Sequence, residues 1–139
     1  MDESTIIRVA LLDDSAEDRI LFCHQMKDVK GWSLQPSAVS SATAFESHLI
    51  EHRVQIAFVD YRLGDQLGSE VVAKAVARFP EIAFVIVTGE GDEEAATRSL
   101  RAGALDYISK RSLQSDIANE VIQRVVSEHY KRRQAQVFF

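Results

Sequence analysis

Residues 54–60 read Val54-Gln55-Ile56-Ala57-Phe58-Val59-Asp60, an apolar run that stops on an acid, and residues 82–89 read Ile82-Ala83-Phe84-Val85-Ile86-Val87-Thr88-Gly89. Both runs are short and are apolar almost throughout rather than alternately. That is the pattern of a strand covered on both faces, as in the middle of a parallel sheet. Working outward, Ile6 to Leu12 reads as a first strand, Ser33 to Val39 as a weaker second, Val54 to Val59 as the third, Ala83 to Val87 as the fourth and Asp106 to Ile108 as a short fifth. Amphipathic helical patterns separate the runs. Five such alternations predict an α/β fold with crossover helices on both sides of one parallel sheet.

The helices have readable starts and stops. Ser15 caps the first, which carries Ile20, Leu21, Cys23, His24 and Met26 to about Asp28. Ser41 can cap the second, with Phe45, Leu49 and Ile50 expected inward. A third runs from about Ser69 to Phe79 and stops before Pro80; a fourth begins among Asp92-Glu93-Glu94 and ends near Gly103. The last begins near Ser112, where Leu113, Ile117, Val121 and Val125 are expected to form one buried stripe.

The chain has 139 residues, 46% hydrophobic and 27% charged, which suits one soluble domain. Sixteen Lys and Arg against 21 Asp and Glu give a net charge of −5, which speaks against direct nucleic-acid binding. No apolar run approaches the roughly 20 residues of a membrane helix, so no membrane insertion is expected. The lone Cys23 excludes an internal disulfide and fits a reducing compartment, hence a cytoplasmic location.

Ligands of open parallel sheets bind at the carboxyl ends of strands. Here those ends read Leu12-Asp13-Asp14-Ser15, Val59-Asp60-Tyr61, Val87-Thr88-Gly89 and Ile108-Ser109-Lys110. Three carboxylates on one rim repel unless a cation sits among them, and an all-oxygen set suits Mg²⁺ (or Mn²⁺). A Lys and a Thr beside them can hold an anionic phosphoryl group.

Asp13-Asp14, Asp60, Thr88-Gly89 and Lys110, each following an apolar strand, resemble the receiver domain of two-component response regulators. The stretch from Ser99 to Lys110 is similar to that family's approach to its lysine. The resemblance covers residues 6 to 127 and implies a doubly wound (βα)5 flavodoxin-like fold with strand order 2-1-3-4-5. It implies a phosphoacceptor at Asp60, fed by a histidine kinase or histidine phosphotransfer protein. Mg²⁺ would be held by Asp13, Asp14, Asp60 and the Arg62 backbone carbonyl. Lys110 would contact the phosphoryl oxygens, Thr88 would swing in to bond one of them, and Tyr107 would turn inward with it. Arg62 and Glu90 stand at positions that tune phosphoryl lifetime and are expected to pair across the site entrance. Such a chain catalyses only its own phosphorylation and dephosphorylation and switches contacts with a downstream protein. A phosphorylation-dependent homodimer would use the face from the fourth to the fifth helix.

Two departures from the family pattern stand out. Arg111 follows Lys110 where Pro is usual, and Gly64 stands where Pro is common, so the loop after Asp60 is expected to be flexible. Other readings are weaker. A small aspartyl-phosphate hydrolase needs a second acid two residues after its nucleophile, but Asp60 is followed by Tyr61-Arg62. His48-Leu49-Ile50-Glu51-His52 matches a zinc-peptidase pattern but lacks a further ligand and a cleft. Residues 1–127 are therefore assigned to the receiver and 128–139 to a C-terminal helical extension. A single-domain regulator is the leading expectation, with a receiver excised from a larger regulator or hybrid kinase as the alternative.

Overall fold

Five parallel strands form the main sheet: β1 (Ile6–Leu12), β2 (Ser33–Val39), β3 (Ile56–Asp60), β4 (Ala83–Thr88) and β5 (Asp106–Ser109). Their order is β2-β1-β3-β4-β5. This is the expected doubly wound topology, and the strand order reverses beside β1 and β3. The computed structural model describes the backbone of residues 5–89 and 93–137, with side chains as far as Arg132. Among the described residues five longer helices cross between or follow the strands: α1 (Ala16–Lys27), α2 (Phe45–Glu51), α3 (Gly68–Arg78), α4 (Glu93–Ala102) and α5 (Ala118–Val137).

Every residue of β3 and β4 is buried, as continuous apolarity requires. Alternate side chains divide the core into two clusters. Ala10, Leu12, Ala57, Val59, Phe84 and Ile86 face α2, α3 and α4 through Phe45, Leu49, Val72, Ala75 and Ala95. Val9, Leu11, Ile56, Phe58, Val85 and Val87 face α1 and α5 through Phe22, Met26, Ile122, Val125 and Val126.

The caps follow from local chemistry. Ser15 is extended, and its hydroxyl accepts from the Asp18 N–H at 3.2 Å, starting α1. Pro80 cannot continue a helix, and α3 ends at Arg78. Gly103 takes φ +108° just after α4, a conformation that costs a side-chain residue more than glycine.

The structure settles which face of α1 is inward and corrects two inward assignments, on α2 and on the last helix. On α1 the buried residues are Phe22 and Met26, whereas Ile20 is 61% exposed and Leu21 lies at the surface. On α2 Ile50 faces solvent, because the single inward stripe of so short a helix is filled by Phe45 and Leu49. The last helix does not begin near Ser112. A separate turn, Lys110–Leu113, is followed by a break, and α5 starts at Ala118. That break resets the helical phase, so Ile117 is exposed and the buried stripe is Ala118, Ile122, Val125, Val126 and His129. Burial continues past Ser127: His129 is 4% exposed and Tyr130 packs edge-on against Trp32 at 5.2 Å between ring centres.

The loop after Asp60, expected to be flexible, folds as a two-stranded ribbon in which Arg62–Leu63 pairs with Gln66–Leu67. Gly64 turns it with φ +63°, which Pro could not adopt.

Candidate phosphoacceptor site

The carboxyl ends of β1 and β3 place Asp13 and Asp60 side by side, both nearly fully buried, with Asp14 exposed at the rim. One carboxylate oxygen from each of the three lies within 4.8 Å of the others. Main-chain bonds fix the frame: the Asp13 N–H donates to Val39 O at 3.1 Å and the Tyr61 N–H to Val87 O at 2.9 Å. The Ser15 N–H donates to Asp13 Oδ1 at 2.9 Å, and the Arg62 N–H reaches Asp60 Oδ1 at 3.4 Å.

Lys110 reaches this rim from the end of β5. Its Nζ lies 3.1 Å from Asp60 Oδ2, 3.3 Å from Asp13 Oδ2 and 2.7 Å from Asp18 Oδ2. No cis peptide occurs among the described residues, so the Lys110–Arg111 link is trans. The turn Lys110–Leu113 instead opens directly after β5, with the Ser109 hydroxyl accepting from the Ser112 N–H at 3.0 Å. Burial opposes the Lys110 charge, but its bonds to Asp18 and Asp60 and the Asp13 charge outweigh that and raise its pKa.

Asp60 behaves in the opposite sense. Burial first, then the Asp13 charge, push its carboxyl up to about 6, against the pull of Lys110 and the Arg62 N–H. A carboxylate held at such cost is one whose negative charge lacks sufficient positive partners. Asp13, Asp14 and Asp60 with Lys110 leave two negative charges uncompensated, while Asp18 and Arg19 beside them cancel. A divalent hard cation fits that deficit and that all-oxygen donor set.

Thr88 and Tyr107 frame the far side of the site. The Thr88 hydroxyl is buried and donates to Ile108 O at 3.4 Å, so it is turned toward β5 rather than the acids. Tyr107 is 44% exposed. Between them a cleft of about 360 Å³ is lined by Thr88, Glu93, Ala96, Tyr107, Ser109 and Arg124. Glu90 lies outside the described residues, and the expected pairing with Arg62 with it; the Arg62 guanidinium lies over the Tyr61 ring at 5.6 Å.

Three participants escaped the sequence reading. Asp18 sits in the first turn of α1, four residues after Asp14, where one helical turn brings it back toward the rim. Arg19 donates to Asp13 O at 2.8 Å. Gly68 opens α3 against the end of β3: its N–H donates to Tyr61 O at 2.6 Å, and an added Cβ would sit 2.9 Å from the Asp60 carbonyl carbon. A glycine between Leu67 and the start of a helix was the available signal for that close approach. The paired histidines have structural duties: His48 and His52 stack at 4.1 Å, and His48 Nε2 bonds the Ser37 hydroxyl at 2.8 Å. Neither joins a metal-ligating group of three among the described residues.

Residues 9–122 match the response regulator receiver domain. The chain belongs to that family. Its relatives among curated proteins include the alginate biosynthesis transcriptional regulatory protein AlgB of Pseudomonas aeruginosa, 32% identical over 103 residues, which are 74% of this chain and 22% of AlgB. The C4-dicarboxylate transport transcriptional regulatory protein DctD of Rhizobium meliloti is 30% identical over 132 residues, 91% of this chain and 28% of DctD. This receiver thus spans under a third of either relative. Among solved structures, a response regulator receiver domain protein of Methanospirillum hungatei superposes with a TM-score of 0.67 at 26% identity, covering 92% of this chain and 99% of that one. A receiver domain from Clostridium thermocellum reaches 0.77 at 17% identity, covering 94% and 98%, a likeness of fold.

Proposed function

We propose that this receiver accepts a phosphoryl group on Asp60 from the phosphohistidine of a histidine kinase or histidine phosphotransfer protein. The observation that carries the reading is the convergence of Asp13, Asp14 and Asp60 with Lys110 at the topological switch of a receiver sheet. Asp60 Oδ attacks phosphorus as the N–P bond of the donor imidazole breaks, giving an acyl phosphate. Asp13, Asp14, Asp60 and the Arg62 carbonyl would hold Mg²⁺ or Mn²⁺, which supplies charge neutralisation for in-line transfer.

The chain's own residues do the rest. Lys110 places its ammonium where phosphoryl oxygens arrive. Thr88 exchanges Ile108 O for one of those oxygens, and Tyr107 then has the adjoining cleft to occupy. The new charge biases a two-state arrangement of α4 and β5, which alters contacts with a downstream protein or a second copy across the α4 to α5 face. The protein catalyses only its own phosphorylation and dephosphorylation. Among the described residues no helix is long and apolar enough to cross a membrane, and donation by a histidine kinase supports a cytoplasmic location.

Incubation with acetyl phosphate and Mg²⁺, followed by intact mass, tests the reading. Wild type gains the mass of one phosphoryl group and Asp60→Asn gains none; equal labelling of both refutes it.

A further inference from the structure

An ammonium has three N–H donors, and Lys110 gives them three carboxylates. Two belong to the acid cluster, Asp60 at 3.1 Å and Asp13 at 3.3 Å. The third and closest, Asp18 at 2.7 Å, comes from a different element and is not part of the cluster. Its place is set independently of Lys110: it lies in the first turn of α1, and its N–H is bound by the Ser15 hydroxyl. Lys110, by contrast, is the first residue of a four-residue turn, with four rotatable side-chain bonds and a stem that is 30% exposed. Backbone geometry alone does not aim such a side chain.

We propose that Asp18 is the positioning residue of this site, holding the Lys110 ammonium over Asp60 before and after phosphorylation. The inference rests on the phosphoacceptor reading above. When Asp60 carries a phosphoryl group, the N–H now on Asp60 Oδ2 turns to a phosphoryl oxygen, while the N–H on Asp18 keeps its partner. The ammonium therefore meets the developing charge without first being reoriented, which is where preorganised electrostatics act. Asp18 does this from 27% side-chain exposure, outside the three acids that could share a cation. Its own negative charge opposes the incoming phosphoryl group, but the guanidinium of Arg19, bound at Asp13 O, offsets that repulsion.

The test is the rate of Asp60 labelling by acetyl phosphate at saturating Mg²⁺, read by intact mass, for Asp18→Ala, Asp18→Asn and Asp18→Glu, each with and without Lys110→Ala. Without Asp18 the Lys110 ammonium is no longer aimed, and the weakening of its charge-assisted hydrogen bond to the phosphoryl oxygen in the transition state slows Asp18→Ala about tenfold. Asp18→Asn falls between, and Asp18→Glu, which keeps a carboxylate within reach, recovers most of the rate. With Lys110→Ala already present, Asp18→Ala changes the remaining rate less than about twofold, since nothing is left to position. A merely structural loss in α1 would slow both backgrounds equally, and that result overturns the proposal. So does an Asp18→Ala protein that labels as fast as or faster than a labelled wild type. A wild type that takes no phosphoryl group overturns the phosphoacceptor reading and this proposal with it.

Discussion

Replacing Gly68 by alanine tests the packing that presents Asp60. The added Cβ would stand 2.9 Å from the Asp60 carbonyl carbon and 3.0 Å from Val59 Cγ1, and nearer still to the Asp60 carbonyl oxygen. Carbon atoms in contact sit at about 3.5–4.0 Å, so β3 and the start of α3 must part by roughly half an ångström or more. Both sides of the clash are backbone, and neither can yield by a rotamer change. Overpacking of this kind costs about 1–3 kcal/mol, and the bond from the Gly68 N–H to Tyr61 O is stretched with it. Alanine works the other way through the unfolded chain, by about 0.4–1 kcal/mol, because Gly68 is not in the left-handed region. The net expectation is a loss of about 1.3 kcal/mol, or about 4–6 °C in Tm at this chain length. Urea unfolding read by the Trp32 signal measures the loss, and acetyl-phosphate labelling measures the displaced Asp60 as a slower rate. Gly64→Ala is the comparison: its φ is +63° but nothing lies within 4 Å, so it costs about 1 kcal/mol and leaves the Asp60 frame in place. A Gly68→Ala protein within about 0.5 kcal/mol of wild type would refute the close-approach argument.

Further outcomes follow from the charges. The Asp60 carboxyl, raised to about 6, lies above its unfolded value, so ionising it destabilises the metal-free fold as pH rises from about 4 to above 6. Measured in EDTA, Asp60→Asn should therefore gain about 2–3 kcal/mol on wild type between pH 4 and 7.5, and a constant difference across that range counts against the burial and Asp13 effects. Burial raises the Asp106 carboxyl, but the nearby His129 imidazole, the Tyr107 N–H and the Arg124 guanidinium outweigh it and hold its pKa low. That stabilisation is present above the unfolded carboxyl pKa and is lost as pH falls through the lower folded one. Arg124→Ala should thus cost most at neutral pH and least in acid, which unfolding curves at the two extremes can show. His129 buries both ring nitrogens without a hydrogen-bond partner; its Nε2 is 3.8 Å from Asp106 Oδ2. His129→Leu removes the ring's pull on Asp106 together with its buried nitrogens, so it should raise the Asp106 pKa, and an unchanged carboxyl titration by NMR would count against that contact.

The sheet was legible because burial on both faces leaves an unbroken apolar record, as in Phe58-Val59 and Phe84 to Val87. The acids, Thr88 and Lys110 were legible because strand ends have fixed directions. Helix faces were less so. Ile20, Ile50 and Ile117 are apolar yet exposed, and what decides their fate is helix phase, which a break such as 114–117 resets without a local marker. Asp18 and Gly68 were missed for a related reason: their roles arise from the approach of two elements distant in the chain, Lys110 in one case and the end of β3 in the other.

The alternating strands make the sheet a partition between two oily compartments that share few side chains. A perturbation within one compartment is therefore damped before reaching the other, and substitutions on opposite sides should add independently. The acid rim is the exception. Asp18 and Lys110 belong to the layer of α1 and α5, whereas Gly68 and the ribbon belong to the layer of α3, and Asp60 touches both. One charge at that seam is felt on both sides of the wall at once, so a modification only a few ångströms across can alter the outer surface of either layer.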